Sequence, residues 1–357
     1  MSSQLDATAR ERAIALRTRA GYVWGAPTIY AELRGEDAFD VLDGLASADL
    51  YLQSGQAREA LLLDERGDVE LDLVVARQDA SYLVGASGPD PRALVGLLEG
   101  ASVGRAAEAR SLAESHRVVG VHGPYAWELI GSWLGPELVA MPHLSCDRRG
   151  ELQILRAGKT GEYGYEVLVP VAREAPLREQ LLRVASDFDA IELDQGTLAL
   201  AALQNGYFHA ASALPRARCP LELQLGWRLS HDKRFRGSES IAHRRAEGLR
   251  RRVTWATSEH ALTVGDVLVC DSEPVGEIVH ALRDPVTERW LALALLPSSI
   301  AWAGHTLRLA APSGAAGDAP VVRTVSPPLL RNRSLFVSPQ RHRYVGRAGD
   351  DFPEIWP

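Results

Sequence analysis

The stretch Arg156-Ala157-Gly158-Lys159-Thr160-Gly161-Glu162-Tyr163-Gly164-Tyr165-Glu166-Val167-Leu168-Val169-Pro170 runs a glycine-rich turn into an alternating strand. Side chains alternate across a strand, so Tyr165, Val167 and Val169 share one face while Glu166 and Leu168 take the other. Glycines at 158, 161 and 164 permit positive φ and close backbone approach, which suits a segment lining a ligand. The plain alternative is a turn feeding a half-buried strand, with Glu166 in solvent.

A second alternating segment lies upstream. Ala60-Leu61-Leu62-Leu63, a turn at 64–67, and 69–76 read as a hairpin. Leu71, Leu73 and Val75 share one face, and Glu70, Asp72, Val74 and Ala76 the other. Asp72 with Val74 and Ala76 on its own face is a carboxylate in partly apolar surroundings, where a charge acts strongly. A solvent-facing Asp on an amphipathic strand stands as the alternative, and Glu70 on the same face supports it.

Around these segments, residues 8–23 read as a helix, 28–34 as a strand, and 36–45 as a helix with Phe39, Leu42 and Leu45 on its apolar side. A strand at 81–84, a helix from 91, a strand at 118–121 and helices at 125–133, 172–186 and 196–205 follow. From Arg250 the texture changes to short strands at 251–256, 267–270, 275–279 and 290–296, which predicts a small β-barrel. Ser313 to Asp318 reads as a flexible loop, and the Pro- and Arg-rich tail from Pro327 as poorly packed.

Composition narrows the function class. At 357 residues, with 46% hydrophobic and 24% charged residues, the chain has core enough for two or three domains. No apolar run reaches a bilayer's thickness and no signal-peptide core opens the chain, so a cytoplasmic protein without membrane partners is expected. A net charge of -7 argues against a nucleic-acid partner. The arginine clusters at 216 and 218, 244–245 and 250–252 read as solvated surface or as an anion groove. Cys146, Cys219 and Cys270 are scattered and the histidines lack metal spacing, so no metal is expected.

The signature stretch resembles R-x-G-Y-T-G-E-x-G-[FY]-E of the glycine-cleavage T-protein and its folate-binding aminomethyltransferase relatives. Further matches stand in order: Gly35-Glu36-Asp37-Ala38, His122-Gly123-Pro124 where the family reads Q-G-P, Cys219-Pro220-Leu221-Glu222 with Gly226-Trp227, Phe235-Arg236-Gly237, and Val275-Gly276-Glu277-Ile278-Val279. The hairpin resembles G-G-x-x-D-D-[LI]-[IV]-V, with Asp72 at the second Asp. The resemblance spans residues 10–325. It implies an α+β fold of two mixed α/β lobes and a small C-terminal β-barrel around a central cavity. The lobes would cover 1–115 and 116–248, the barrel 249–325 and a tail 326–357.

What the resemblance implies chemically is tetrahydrofolate-dependent transfer of a methyl, methylene or aminomethyl group to or from a small molecule. Asp72 would stabilise charge developing at the folate nitrogens, and Glu166 would accept paired hydrogen bonds from the pterin. Val74, Gly85, Lys159 and His143 would line the cofactor cavity. Asp72→Asn is expected to abolish turnover with little change in melting temperature, because it keeps size and removes charge.

Departures from the family are as informative. Lys159 replaces its Tyr, Gly85 its Asn, Ala76 a frequent Tyr, and Glu59 falls near another Tyr position. The helix pattern A-R-D-x-x-R-x-E-x-G loses its Arg and Glu at 194–201, and the segment F-x-G-W-x-[ML]-P has no counterpart. A lipoyl carrier protein is therefore not expected as a partner. Three readings stay open: a folate-dependent transferase or demethylase, an enzyme that has lost folate and uses the cavity for other chemistry, and an assembly factor. The last is opposed by 204–210, which lacks the Cys of the K-G-C-Y-x-G-Q-E motif found in that branch.

Overall fold

The computed structural model describes residues 2–213, 215–310, 319–347 and 352–356; the loop expected at Ser313–Asp318 lies outside them. Two sheets and a barrel organise the chain. A five-stranded sheet runs in the order Ala57–Leu63, Val69–Arg77, Ser81–Ser87, Ile29–Arg34, Glu108–Ser111. A six-stranded sheet runs Ile191–Glu192, Gly21–Trp24, His116–His122, Gly164–Pro170, Leu152–Arg156, Ser145–Arg149. Arg251–Ser258, Trp290–Pro297, Glu273–Arg283, Val267–Cys270, Thr306–Leu309 and Val321–Val325 close a barrel, the α+β architecture that the resemblance implied.

Alternation decides what each sheet buries. Leu71, Leu73 and Val75 enter a core with the helices Ala38–Leu45 and Ala93–Ser102, while Val74 and Ala76 face the other way, towards Tyr30, Leu155 and Leu168. Tyr165, Val167 and Val169 pack under the helices Ala126–Leu134 and Glu174–Asp187, and Leu168 turns to the hairpin's second face. The two sheets thus present inner faces to one another, and the carboxylates of Asp72 and Glu166 alternate onto those faces.

Two expectations need correction. The helix read over 8–23 spans Ser2–Thr18, and Gly21–Trp24 is instead a strand pairing His116–His122. Tyr22, Val23 and Trp24 are β-formers, and pairing on both sides outweighs the continuing helical period. The tail from Pro327 is packed rather than loose: Val337 and Tyr344 are buried in the core beneath the six-stranded sheet. Polar anchors hold it. Glu128 accepts from the Tyr344 N–H at 2.7 Å, and Glu162 accepts from the Arg333 and Ser334 N–H groups at 3.1 and 2.8 Å.

Candidate functional site

A cavity of about 340 Å³ opens between the two inner faces and is closed on one side by the helix Gln195–Gln204. Asp72, Val74, Gly85, Lys159 and Glu166 all line it. His143 does not. Backbone hydrogen bonds from Ala57 N to Leu144 O and from Leu144 N to Arg156 O hold the Met141–Leu144 loop against strand ends, leaving His143 exposed outside the cavity.

Asp72 is 3% exposed and fully engaged. Its Oδ1 accepts from Lys159 Nζ at 3.0 Å and from Arg228 Nη1, and its Oδ2 accepts from the Ala210 N–H at 2.7 Å. Arg228 also donates to Glu59 Oε2 at 2.7 Å, so two acids and two bases alternate through the wall. Burial alone would raise the Asp72 pKa; Lys159, Arg228, His209 and the Ala210 N–H outweigh it and hold the carboxyl well below the usual range. Asp72 is therefore held in its ionised form.

Glu166 is built differently. Tyr30 donates its hydroxyl to Oε2, and Thr28 donates to Oε1 at 3.3 Å. Burial raises the Glu166 pKa against those hydrogen bonds, and raises that of Tyr30 further. A carboxylate has about four acceptor sites, so two remain for a ligand's N–H groups. The Gly85 departure has a steric cause. Gly85 pairs with Tyr30 across the sheet, and a Cβ there would stand 2.6 Å from Tyr30 Cε1 and 2.8 Å from Val74 Cγ1. The missing side chain makes room for the ring that holds Glu166.

The signature turn is locked from behind. Arg17, fully buried, donates to Thr160 O at 2.7 Å, Glu162 Oε1 at 3.2 Å and Asn332 Oδ1 at 2.9 Å. Its other terminal nitrogen reaches Ala201 O and Gln204 Oε1, both at 2.9 Å. Gly161 sits at φ +80°, where a Cβ would strike the Asn205 and Asn332 side chains. Helix, turn and tail thus fix the backbone that carries Lys159.

Several site residues escaped sequence reasoning. Arg228 follows the quoted Gly226-Trp227, and His209 lies in the stretch 204–210 that lacks the Cys of the related motif. His122, at the Q-G-P position, lines the cavity with Nδ1 unpartnered, and burial lowers its pKa to about 4. The arginine clusters at 216–218, 244 and 250–251 border a separate pocket of about 510 Å³. Arg244 there pairs Asp68 at 2.9 Å and Arg251 pairs Glu222 at 3.2 Å. Among the described residues no group of three or more His, Cys, Asp or Glu could hold a metal ion, and no helix is long and apolar enough to cross a membrane.

The chain is similar to proteins with this architecture. The family described as GCVT N-terminal domain matches residues 2–233. An aminomethyltransferase of Thermotoga petrophila is 25% identical over 301 residues, covering 82% of each chain. The mitochondrial aminomethyltransferase of Gallus gallus is 26% identical over 296 residues, covering 76% of this chain and 73% of that one. The crystal structure of glycine cleavage system aminomethyltransferase T from Bartonella henselae superposes with a TM-score of 0.80 at 18% identity, over 90% of this chain and 89% of the other. With well over half its length matched by the family model and the T-protein fold shared over 90% of the chain, the chain belongs to the GCVT N-terminal domain family, as a divergent member of the T-protein-like folate-binding family.

Proposed function

We propose that the chain is a tetrahydrofolate-dependent one-carbon transferase acting on a small molecule, of the methyltransferase or demethylase type rather than a partner of a lipoyl carrier. The observation that carries this reading is Glu166: a carboxylate oriented by Tyr30 and Thr28, with acceptor capacity left over, in a cavity walled by Val74, Leu198 and Ala202. A flat heteroaromatic ring with adjacent N–H donors fits that wall chemistry, since buried polar edges need partners and ring faces need apolar contact. Glu166, with Val74 and Gly85 beside it, would hold the pterin; the folate, when bound, supplies the nitrogen that gives or takes the one-carbon unit.

The protein's own residues then orient and exclude water. Tyr30 and Thr28 fix the rotamer of Glu166, so binding costs little reordering. Asp72 anchors Lys159 at 3.0 Å and the Ala210 backbone at 2.7 Å, which holds the facing walls in register. Its charge is shared with Lys159 and Arg228, so it contributes less net field at the reacting centre than an unpaired carboxylate would. That balance favours the second reading, a cavity that has lost folate. The two readings separate in one assay. Protein, tetrahydrofolate and a panel of methoxy, N-methyl and methylsulfonio compounds are incubated together, and methylated or methylene folate is quantified. Folate-dependent product supports the proposal; demethylation without folate supports the second reading.

A further inference from the structure

The pocket of about 510 Å³ bordered by arginines shares no lining residue with the central cavity. It lies where four segments meet: the hairpin turn at Asp68, the stretch 215–222, the helix Ser238–Glu247 and the first barrel strand, Arg251–Ser258. Arg216, Arg218, Arg244, Arg250 and Arg251 line it, with Asp68, Glu222 and Glu247 as the carboxylates among them. The charges do not pair off. Asp68 is taken by Arg244 at 2.9 Å and Glu222 by Arg251 at 3.2 Å. Arg216 is held from outside the lining by Glu277, and Glu247 meets His243 one helical turn away at 3.3 Å. Two guanidiniums are left over. Among the described residues Arg218 has only a 4.0 Å approach to the Asp68 that Arg244 already holds, and Arg250 has no ion pair.

Hydrogen-bond accounting gives the groove its character. A guanidinium carries five N–H donors in a planar fork and accepts nothing. Arg244 donates to Asp68 through Nη1, Arg251 to Glu222 through Nε and Arg216 to Glu277 through Nη1, so even the paired arginines keep donors in hand. These donors arrive from three directions: the stretch after the Ala210–Ala213 turn, the C-terminal half of a helix, and the start of a barrel strand. Their backbones are fixed. The Val69 N–H donates to Arg218 O at 2.9 Å, the Val253 N–H to Glu222 O at 2.8 Å and the Ser298 N–H to Arg250 O at 2.9 Å. An anion entering the groove therefore meets a framework already in place, and only side-chain ends need order.

We propose that this groove is a second ligand site, which binds the phosphoryl group of a small phosphate monoester through Arg218 and Arg250. A planar carboxylate is satisfied by one fork, whereas a phosphoryl group spreads three acceptor oxygens and suits guanidiniums that converge from separate elements. Two uncompensated cations also match the charge of a dianion. The apolar lining is slight, chiefly Pro215 and Leu249, so the site recognises the charged head of its ligand rather than an apolar body. A pocket of this size in a chain of net charge -7 has no basic track along which a nucleic acid could lie. Because the groove joins the hairpin of the first sheet to the barrel, a bound phosphate ties the two together. The proposal is independent of the folate reading.

The test is calorimetric titration of the full chain, without folate, with glycerol 2-phosphate and with malonate, a planar-headed dianion of similar size. The titrations are run at about pH 8, where the ester is a dianion because its second pKa is about 6. Glycerol 2-phosphate is expected to bind saturably and at least about tenfold more tightly than malonate. Arg218→Gln combined with Arg250→Gln is expected to weaken it at least about tenfold. Arg58→Gln combined with Arg92→Gln removes the same charge from exposed positions outside the groove and is expected to leave binding unchanged. No saturable binding, equal affinity for malonate, binding that survives the groove pair, or an equal loss in the control pair each overturn the proposal. Arg218 and Arg250 are exposed, so the groove pair should melt with the wild type, and the wild-type comparison of the two ligands decides without it.

Discussion

Asp72→Asn is the most instructive perturbation, because the sequence and the structure disagree about it. Conservation of size predicts little change in melting temperature. The structure places the carboxylate at 1% side-chain exposure between Arg228, itself 1% exposed, and Lys159. An amide can still accept hydrogen bonds, but it leaves two cations beside one remaining acid, Glu59. Removing one partner of a buried ion pair costs about 3–5 kcal/mol, because the other charge stays buried and uncompensated. The entropy of unfolding is about 2.1 cal/mol/K per residue, or roughly 0.75 kcal/mol/K for 357 residues unfolding together. The loss therefore appears as a fall in Tm of about 4–7 °C, read by scanning calorimetry. Lys159→Met in the Asp72→Asn background should be less damaging than the sum of the two single changes, by about 1–3 kcal/mol. An Asn variant melting within a degree of wild type, with additive double-mutant energies, would refute the buried charge chain.

Three further outcomes follow from the same geometry. His122 is buried neutral with a pKa near 4 against an ordinary 6.5, so the unfolded chain takes up a proton that the folded chain refuses. Stability is full above pH 6.5 and falls by about 3 kcal/mol as pH drops to 4, then levels; His122→Gln should flatten that slope in urea titrations across the window. Gly85→Ala puts a Cβ 2.6 Å from the Tyr30 ring, and overpacking costs about 1–3 kcal/mol. It should weaken any ligand held by Glu166, as measured by calorimetry. Glu162→Gln leaves Arg17 buried without its counter-ion and should speed proteolysis after Pro327, while a cleavage rate equal to wild type would show that the clasp does not hold the tail.

Period-two alternation was legible wherever a strand is half-buried. Tyr165, Val167 and Val169 went to one core, and Leu71, Leu73 and Val75 to another, as spacing requires. The two inward carboxylates followed from the same rule. The partners of those carboxylates were not legible. Arg228 is 156 residues from Asp72 and Tyr30 is 136 from Glu166, so only the docking of the Gly226–Arg228 turn on the first sheet and the meeting of the two sheets bring these pairs together. The tail misled for a related reason. Its Pro and Arg content reads as solvated, yet Asn332, Val337 and Tyr344 find distant partners that no local pattern reveals. His143, expected to line the cavity, stands outside it because the loop after Met141 leaves it exposed.

The most direct test of the central claim is calorimetric titration of the folded chain with tetrahydrofolate, alongside Glu166→Ala. The account predicts saturable micromolar binding that the Ala variant loses while remaining folded. No binding to the wild-type protein, or binding that Glu166→Ala leaves intact, would contradict it.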